Sequence, residues 1–263
     1  MDIFNYQRRE TSVVHVGAID MGGDNPIRIQ SMTTTNTNDT DACVEQAEDI
    51  IKAGGELVRL TTQGSKEAEN LKNINVKLRA DGYTTPLVAD VHFNPNVADV
   101  AALYAEKVRI NPGNYVDPAR KFIKQEYSDE EYAQALKKIE NRFVPFLDIC
   151  KKNHTAIRIG VNHGSLSDRI RNRYGDTPEG IVESCMEFLR ICKEQDFNDV
   201  VISIKSSNTV VMVRSVRLLV EQMQKEDMKY PLHLGVTEAG EGEDGRIKSA
   251  VGIGALLSDG IGD

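Results

Sequence analysis

Short β-type runs and amphipathic helical runs alternate along nearly the whole chain, and this alternation limits the fold more than any other feature. Strand-like runs occupy 26–32, 55–61, 86–91, 107–111, 155–161, 199–205 and 231–237. Helical periodicity fills the intervals over 40–53, 65–81, 95–105, 130–152, 178–195, 208–226 and 245–258. Thr177, Pro178 and Glu179 make a helix start, with proline in the first turn. Helix-length crossovers require parallel strands. Seven βα units are visible, and the chain stops where an eighth strand would begin. The pattern predicts an α/β, TIM-type (β/α)8 barrel with its eighth βα unit truncated. No G-x-G-x-x-G turn follows the first strand, which weakens the dinucleotide-binding alternative.

A length of 263 residues suits one such domain, expected over 1–263. Residues 1–25 contain two short strands and a turn, expected as a hairpin at the barrel bottom. Segment 116–153 exceeds what one crossover needs and reads as an extended crossover with an exposed, charged helix. The net charge of −8 argues against nucleic acid or an anionic membrane surface as partner. No apolar run approaches the roughly 20 residues of a membrane span. The N-terminus lacks the apolar stretch of a secretory leader, so a cytoplasmic protein is expected. Cys43, Cys150, Cys185 and Cys192 form no C-x-x-C pair and read as reduced helix residues, leaving no metal site in this chain.

Side chains alternate faces along a strand. Strand two puts Leu57, Arg59 and Thr61 opposite Val58 and Leu60. Strand three sets Asp90 and His92 against Val88 and Val91. Strand four places Arg109 and Asn111 opposite Val108 and Ile110. Strand five places Arg158, Gly160 and Asn162 opposite Ile157, Ile159 and Val161. Strand six sets Ser203 and Lys205 against Ile202 and Ile204, and strand seven sets His233, Gly235 and Thr237 against Leu232, Leu234 and Val236, with Glu238 next. The polar set grows more polar toward the C-terminal strand ends, where barrels of this type carry their active sites. Arg59, Arg109, Arg158 and Lys205 are therefore expected in one mouth, answered only by Asp90 and Glu238. That excess of cations fits a phosphate-rich ligand. The competing explanation is an internal salt-bridge network, or cations reaching solvent at strand ends.

Asp90 and His92 allow a metal pair, an acid–base pair or a purely structural polar network. His233 lies deeper and reads as a barrel-interior residue, Arg28 as a residue of the lower interior, and His15 and His154 as surface residues. The turns at 111–115 and 162–166 offer backbone N–H groups to an anion. The glycine-rich acidic stretch 237–246 reads as a mobile lid or a plain connection.

The motifs "PIRIQSMT", "VRLT", "ADVHF", "VRINPGN", "IRIGVNHGSL", "SIKSSN", "PLHLGVTEAG" and "KSAVGIGALLSDGIGD" resemble the N-terminal barrel of the 4-hydroxy-3-methylbut-2-enyl diphosphate synthase family. The likeness runs over essentially the whole chain and is closest to the longer plant-, chlamydia- and Bacteroidetes-like branch. It implies an oxidoreductase of the methylerythritol phosphate route to isoprenoids. The substrate would be 2-C-methyl-D-erythritol 2,4-cyclodiphosphate, reductively opened and dehydroxylated to (E)-4-hydroxy-3-methylbut-2-enyl diphosphate. A 4Fe-4S cluster, held in a separate C-terminal domain outside this chain, would deliver electrons from flavodoxin or ferredoxin in a homodimer. By motif, Arg59, Arg109, Arg158 and Lys205 would grip the diphosphate. His92, Asn111, Asn162 and Thr237 would add hydrogen bonds, Asp90 would orient the network, and Glu238 would be the acid–base residue. Alone, the segment is expected to bind substrate weakly and not to turn over. The alternatives are a self-contained barrel of dihydropteroate-synthase type and a non-catalytic phosphometabolite-binding fragment.

Overall fold

The computed structural model describes residues 7–118 and 126–263. Residues 1–6 of the N-terminal segment expected over 1–25, and residues 119–125 of the extended crossover expected over 116–153, lie outside the described residues. An antiparallel hairpin, β1 (Val14–Val16) and β2 (Ile19–Met21), precedes a six-stranded parallel sheet. In order, its strands are β3 (Gln30–Met32), β4 (Leu57–Thr62), β5 (Leu87–Val91), β6 (Lys107–Ile110), β7 (Ala156–Asn162) and β8 (Val200–Lys205). The crossovers carry α1 (Thr40–Lys52), α2 (Ser65–Ala80), α3 (Pro95–Ala101), α4 (Pro112–Tyr115), α5 (Asp129–Asn153), α6 (Asp168–Tyr174), α7 (Pro178–Glu194), α8 (Thr209–Lys225) and α9 (Gly242–Ser258). Side-chain caps at Asp39, Asn94, Ser128, Thr177 and Asn208 start α1, α3, α5, α7 and α8 by accepting from otherwise unpaired backbone N–H groups.

The first and seventh strands are shorter than their sequences suggest. In 26–32, Pro26 has no N–H, and Ile29 donates its N–H to the Glu56 carboxylate at 2.9 Å, so only Gln30–Met32 remains strand. The seventh segment is reduced to one parallel bridge, Ile202 to Leu232. There the Leu232 N–H goes to an Asp263 carboxylate oxygen at 2.8 Å, and its carbonyl accepts from the Asp263 N–H at 3.0 Å. The helix expected to stand exposed in 116–153 instead buries Tyr132, Ile139, Phe143, Phe146, Leu147 and Cys150, so α5 is a packed crossover helix. Helix α6 has no counterpart in the sequence-based assignment, being one short polar-faced run after a loop.

Strand parity sorts the interior. Val58, Leu60, Ala89, Val91, Val108, Ile110, Ile157, Ile159, Val161, Ile202 and Ile204 join the main core with the helices. Leu57, Val88, Ala156 and Val201 face the other way and close around Val14, Val16 and Met21 of the hairpin. Val88 thus belongs with Asp90, not with the helix-facing set expected for it, because positions 88 and 90 share parity. The hairpin fills the barrel bottom as expected. Arg28 fastens it, donating to the Asp20 carbonyl at 2.8 Å while its charge is met by Glu56 at 2.7 Å. His15 is exposed and pairs with Asp20, and His154 is the left-handed cap of α5.

Val16 is fully buried in this plug, whereas Val13 beside it is 43% exposed. Val16→Asp should cost about 3 kcal/mol or more of unfolding free energy, because it buries an unpaired carboxylate. Val13→Asp should leave stability nearly unchanged. Urea denaturation of both variants checks the contrast.

Candidate anion site at the barrel mouth

Asp90 lies at the centre of the upper barrel interior. It is only 3% exposed. Its Oδ1 accepts from Arg109 Nη1 at 2.9 Å, while Arg59 Nε and His92 Nε2 lie 3.4 and 3.5 Å from Oδ2. Burial opposes its charge, but His92 and the guanidinium groups of Arg109, Arg59 and Arg158 prevail and hold the carboxyl well below the usual carboxylate range. Register explains the convergence: Asp90 is level with Arg109 on β6, and Arg109 with Arg158 on β7. Asn162 is level with Lys205 on β8.

The cations outnumber what Asp90 can satisfy. Arg109 spends Nη2 on the Gly160 carbonyl at 2.8 Å, and Arg158 spends Nη1 on Ser203 Oγ at 2.7 Å. The Nε donors of both arginines are buried with no acceptor among the described residues. Arg59 turns Nε and Nη2 to the weak Met32 Sδ acceptor at 3.2 and 2.7 Å. Burial, then the neighbouring arginines, push the Arg158 and Lys205 pKa values well below their ordinary ranges, with Asp90 only partly offsetting this. His233, below Lys205 in the interior, is likewise held neutral by burial and by Arg158, Lys205, Lys107 and Arg59. A buried donor without a partner is rare in native proteins. Such donors inside a cluster of like charge suit an arriving anion with several acceptor oxygens.

The loops above the strands are tied down. Asn111 caps α4 by accepting from the Gly113 N–H at 3.2 Å, and its Nδ2 donates to Ser165 Oγ at 2.7 Å. Its amide therefore braces the mouth. A Cβ on Gly113 would lie 1.8 Å from the Ser165 carbonyl oxygen, so only glycine lets the loops after β6 and β7 touch. His163 joins them, bonded to Asp176 at 2.7 Å and near Ser206 Oγ at 3.3 Å.

Arg59, Asp90, His92, Arg109 and Arg158 are brought together as expected, with Lys205 close by. Asn162 ends β7, and Thr237 lies in the turn after the seventh segment. Glu238 stands apart. It is exposed on the rim in a left-handed backbone conformation (φ 52°), as is Phe93 (φ 61°). Helix α9 begins at Gly242, so the connection after Thr237 is shorter than the 237–246 lid expected. Lys107 and Ser203 were not anticipated as site residues. Lys107 shares Arg109's parity two positions earlier, which was the available signal.

Over residues 11–263 the chain matches the family described as the GcpE TIM-barrel domain. The chain belongs to this family. A relative from Phocaeicola vulgatus named 4-hydroxy-3-methylbut-2-en-1-yl diphosphate synthase (flavodoxin) is 77% identical over 263 residues, covering 100% of this chain and 43% of the relative. One of the same name from Bacteroides thetaiotaomicron is 76% identical, again covering 100% of this chain and 43% of the relative. The chain therefore spans less than half the length of these curated relatives. Among solved structures, a type I 3-dehydroquinate dehydratase from Clostridium difficile shares the fold alone, with a TM-score of 0.57, 11% identity, and coverage of 96% of this chain and 88% of that one. The family match sets aside a barrel of dihydropteroate-synthase type.

The cysteines do not fit the iron–sulfur cluster that the resemblance implies. All four are free and buried, and burial raises the thiol pKa of each. Among the described residues no group of three or more His, Cys, Asp or Glu is placed to hold a metal ion. Nor is any described helix long and apolar enough to cross a membrane.

Lys107 is fully buried, and among the described residues its Nζ meets only Met21 Sδ, at 3.5 Å. Burial, then Arg158 and Arg59, push its pKa well below the ordinary 10.5. The unfolded chain then binds a proton that the folded chain refuses, so stability rises with pH up to about the unfolded value. Lys107→Met should raise unfolding free energy at neutral pH by about 1–3 kcal/mol and make that rise shallower. Denaturation curves across pH 6–10 check this, and a less stable variant would contradict it.

Proposed function

We propose that this barrel is the substrate-binding part of an enzyme that converts 2-C-methyl-D-erythritol 2,4-cyclodiphosphate to (E)-4-hydroxy-3-methylbut-2-enyl diphosphate. The observation carrying this reading is the pair of Nε donors on Arg109 and Arg158, buried and without a partner among the described residues. The names of the relatives supply the reaction. The ring carbon–oxygen bond breaks, a hydroxyl leaves as water, and two electrons and two protons enter. Flavodoxin is the donor we assign from those names. The electron-delivering centre is assigned to no residue of this chain. A cytoplasmic homodimer completes the proposal, resting on the family resemblance.

In this reading Arg59, Arg109, Arg158 and Lys205 bind the diphosphate oxygens, replacing mutual repulsion with charge-assisted hydrogen bonds. Asp90 keeps Arg59, Arg109 and His92 aimed at one point, which is a positioning role. His92, Asn162 and Thr237 contribute hydrogen bonds at the rim, and Asn111 holds the loop that shapes it. Glu238 is the proton donor to the departing oxygen or to the reduced carbon skeleton. Its exposed place on the rim means that it needs a covering element to exclude water before it acts efficiently. Its left-handed backbone is the kind of local strain found at functional sites.

Arg109→Ala should weaken binding of the cyclic diphosphate by about tenfold or more, through loss of one charge-assisted contact. Unchanged affinity by calorimetry would reject the clamp. In the full-length enzyme, Glu238→Gln should keep substrate affinity and lower turnover by about 100-fold. Turnover equal to the unmodified enzyme would remove Glu238 from the proton-transfer role.

A further inference from the structure

Two glycines on the inward face of the barrel lie against the cations of the mouth. Gly160 is in the middle of β7, and Gly235 follows the Leu232 bridge. Neither has the positive φ that would require glycine, so the backbone at both positions admits an L-residue. Glycine inside a strand also weakens it, for want of a side chain to pack, and often marks a place where another group must approach closely. At both positions the approaching group is a cation.

A Cβ on Gly235 would lie 2.8 Å from Lys205 Cε and 3.0 Å from its Nζ. A Cβ on Gly160 would lie 2.6 Å from Arg109 Nε, 3.1 Å from its Cγ and 3.2 Å from Ser203 Oγ. Gly160 also gives its carbonyl to Arg109 Nη2 at 2.8 Å, and Ser203 Oγ holds Arg158 Nη1 at 2.7 Å. One missing methyl group therefore leaves room for Arg109 and for the hydroxyl that seats Arg158, and the other for the end of Lys205.

We propose that Gly160 and Gly235 are positioning residues, whose absent side chains are the seats that set where Arg109 and Lys205 present their charge to the bound diphosphate. The proposal rests on the mouth being a diphosphate site. An alanine at either position is tolerated by the backbone but displaces the cation, so its effect depends on that cation being present. A glycine needed only for the fold would act whatever stands opposite it.

That difference defines the test. Gly235→Ala, Lys205→Ala and the double variant are titrated calorimetrically with inorganic pyrophosphate and with the cyclic diphosphate, and each is melted without ligand. Gly235→Ala alone should weaken binding about tenfold, the scale of one displaced charge-assisted contact. In the Lys205→Ala background it should weaken binding no further, and should lower Tm only where Lys205 is present. Gly160→Ala with Arg109→Ala should behave the same way. Losses that add independently, or a Gly235→Ala protein that binds as the unmodified chain does, would overturn the seating role while leaving the diphosphate site intact. An unmodified chain that binds neither ligand would overturn the site and the seating role together. If Gly235→Ala fails to fold, the double variant must fold; its failure would show that the glycine serves the fold and would sink the proposal.

Discussion

Among the described residues Asp90 is the carboxylate that meets Arg59, Arg109 and His92 in the barrel interior, and the mouth is organised around it. Two unit charges about 4 Å apart interact by about 4 kcal/mol at an effective dielectric of 20. One buried carboxylate can therefore hold two guanidinium groups in place but cannot also balance Arg158, Lys205 and Lys107. The remainder is accommodated by neutral acceptors, namely Met32, Gly160 and Ser203, and by lysines whose ammonium form is disfavoured. The free barrel thus holds unspent positive potential within a chain of net charge −8. That potential is local, which favours a small, highly charged anion over an extended polyanion.

The fold produces this arrangement with simple means. Parallel strands in fixed register bring inward positions of neighbouring strands to the same height. The lower inward layer is apolar apart from Lys107 and is covered by the hairpin, and the layer of Asp90, Arg109 and Arg158 lies above it. Arg169 ties the neighbouring loops to the helical shell through a buried pair with Glu187 at 2.7 Å and with Asp117 at 3.0 Å. Tyr132 of α5 donates to the same Glu187 and stacks under the Arg169 guanidinium. The loops that carry Asn111, Asn162 and His163 are in this way tied to the scaffold.

Much of this was legible in the sequence. Parity located Arg59, Arg109, Arg158 and Lys205 because β-strand alternation is a strict geometric rule, and the helix-facing residues are nearly all aliphatic. The same rule, applied without error, places Val88 in the lower interior and marks Lys107 as an inward cation. The shortened first and seventh strands were not legible. In the first strand a ladder donor, the Ile29 N–H, is lost to the Glu56 carboxylate, and no local pattern announces such competition. In the seventh segment only the Leu232 bridge to β8 forms, through Pro231 and His233. The buried face of α5 was obscured by the charges of its first turns, although its Tyr132, Ile139, Phe143 and Leu147 fall at helical spacing. Strand parity already set Glu238 among the charges expected at the mouth, its acid–base role came from the family resemblance, and the structure leaves it exposed on the rim.

The most direct test of the anion-site account is a crystal structure of the chain with the cyclic diphosphate bound. The account predicts phosphate oxygens within about 3.2 Å of both Arg109 Nε and Arg158 Nε, the limit of a hydrogen bond to nitrogen. A bound ligand that leaves both donors buried and unpaired, or that occupies another part of the molecule, would contradict it.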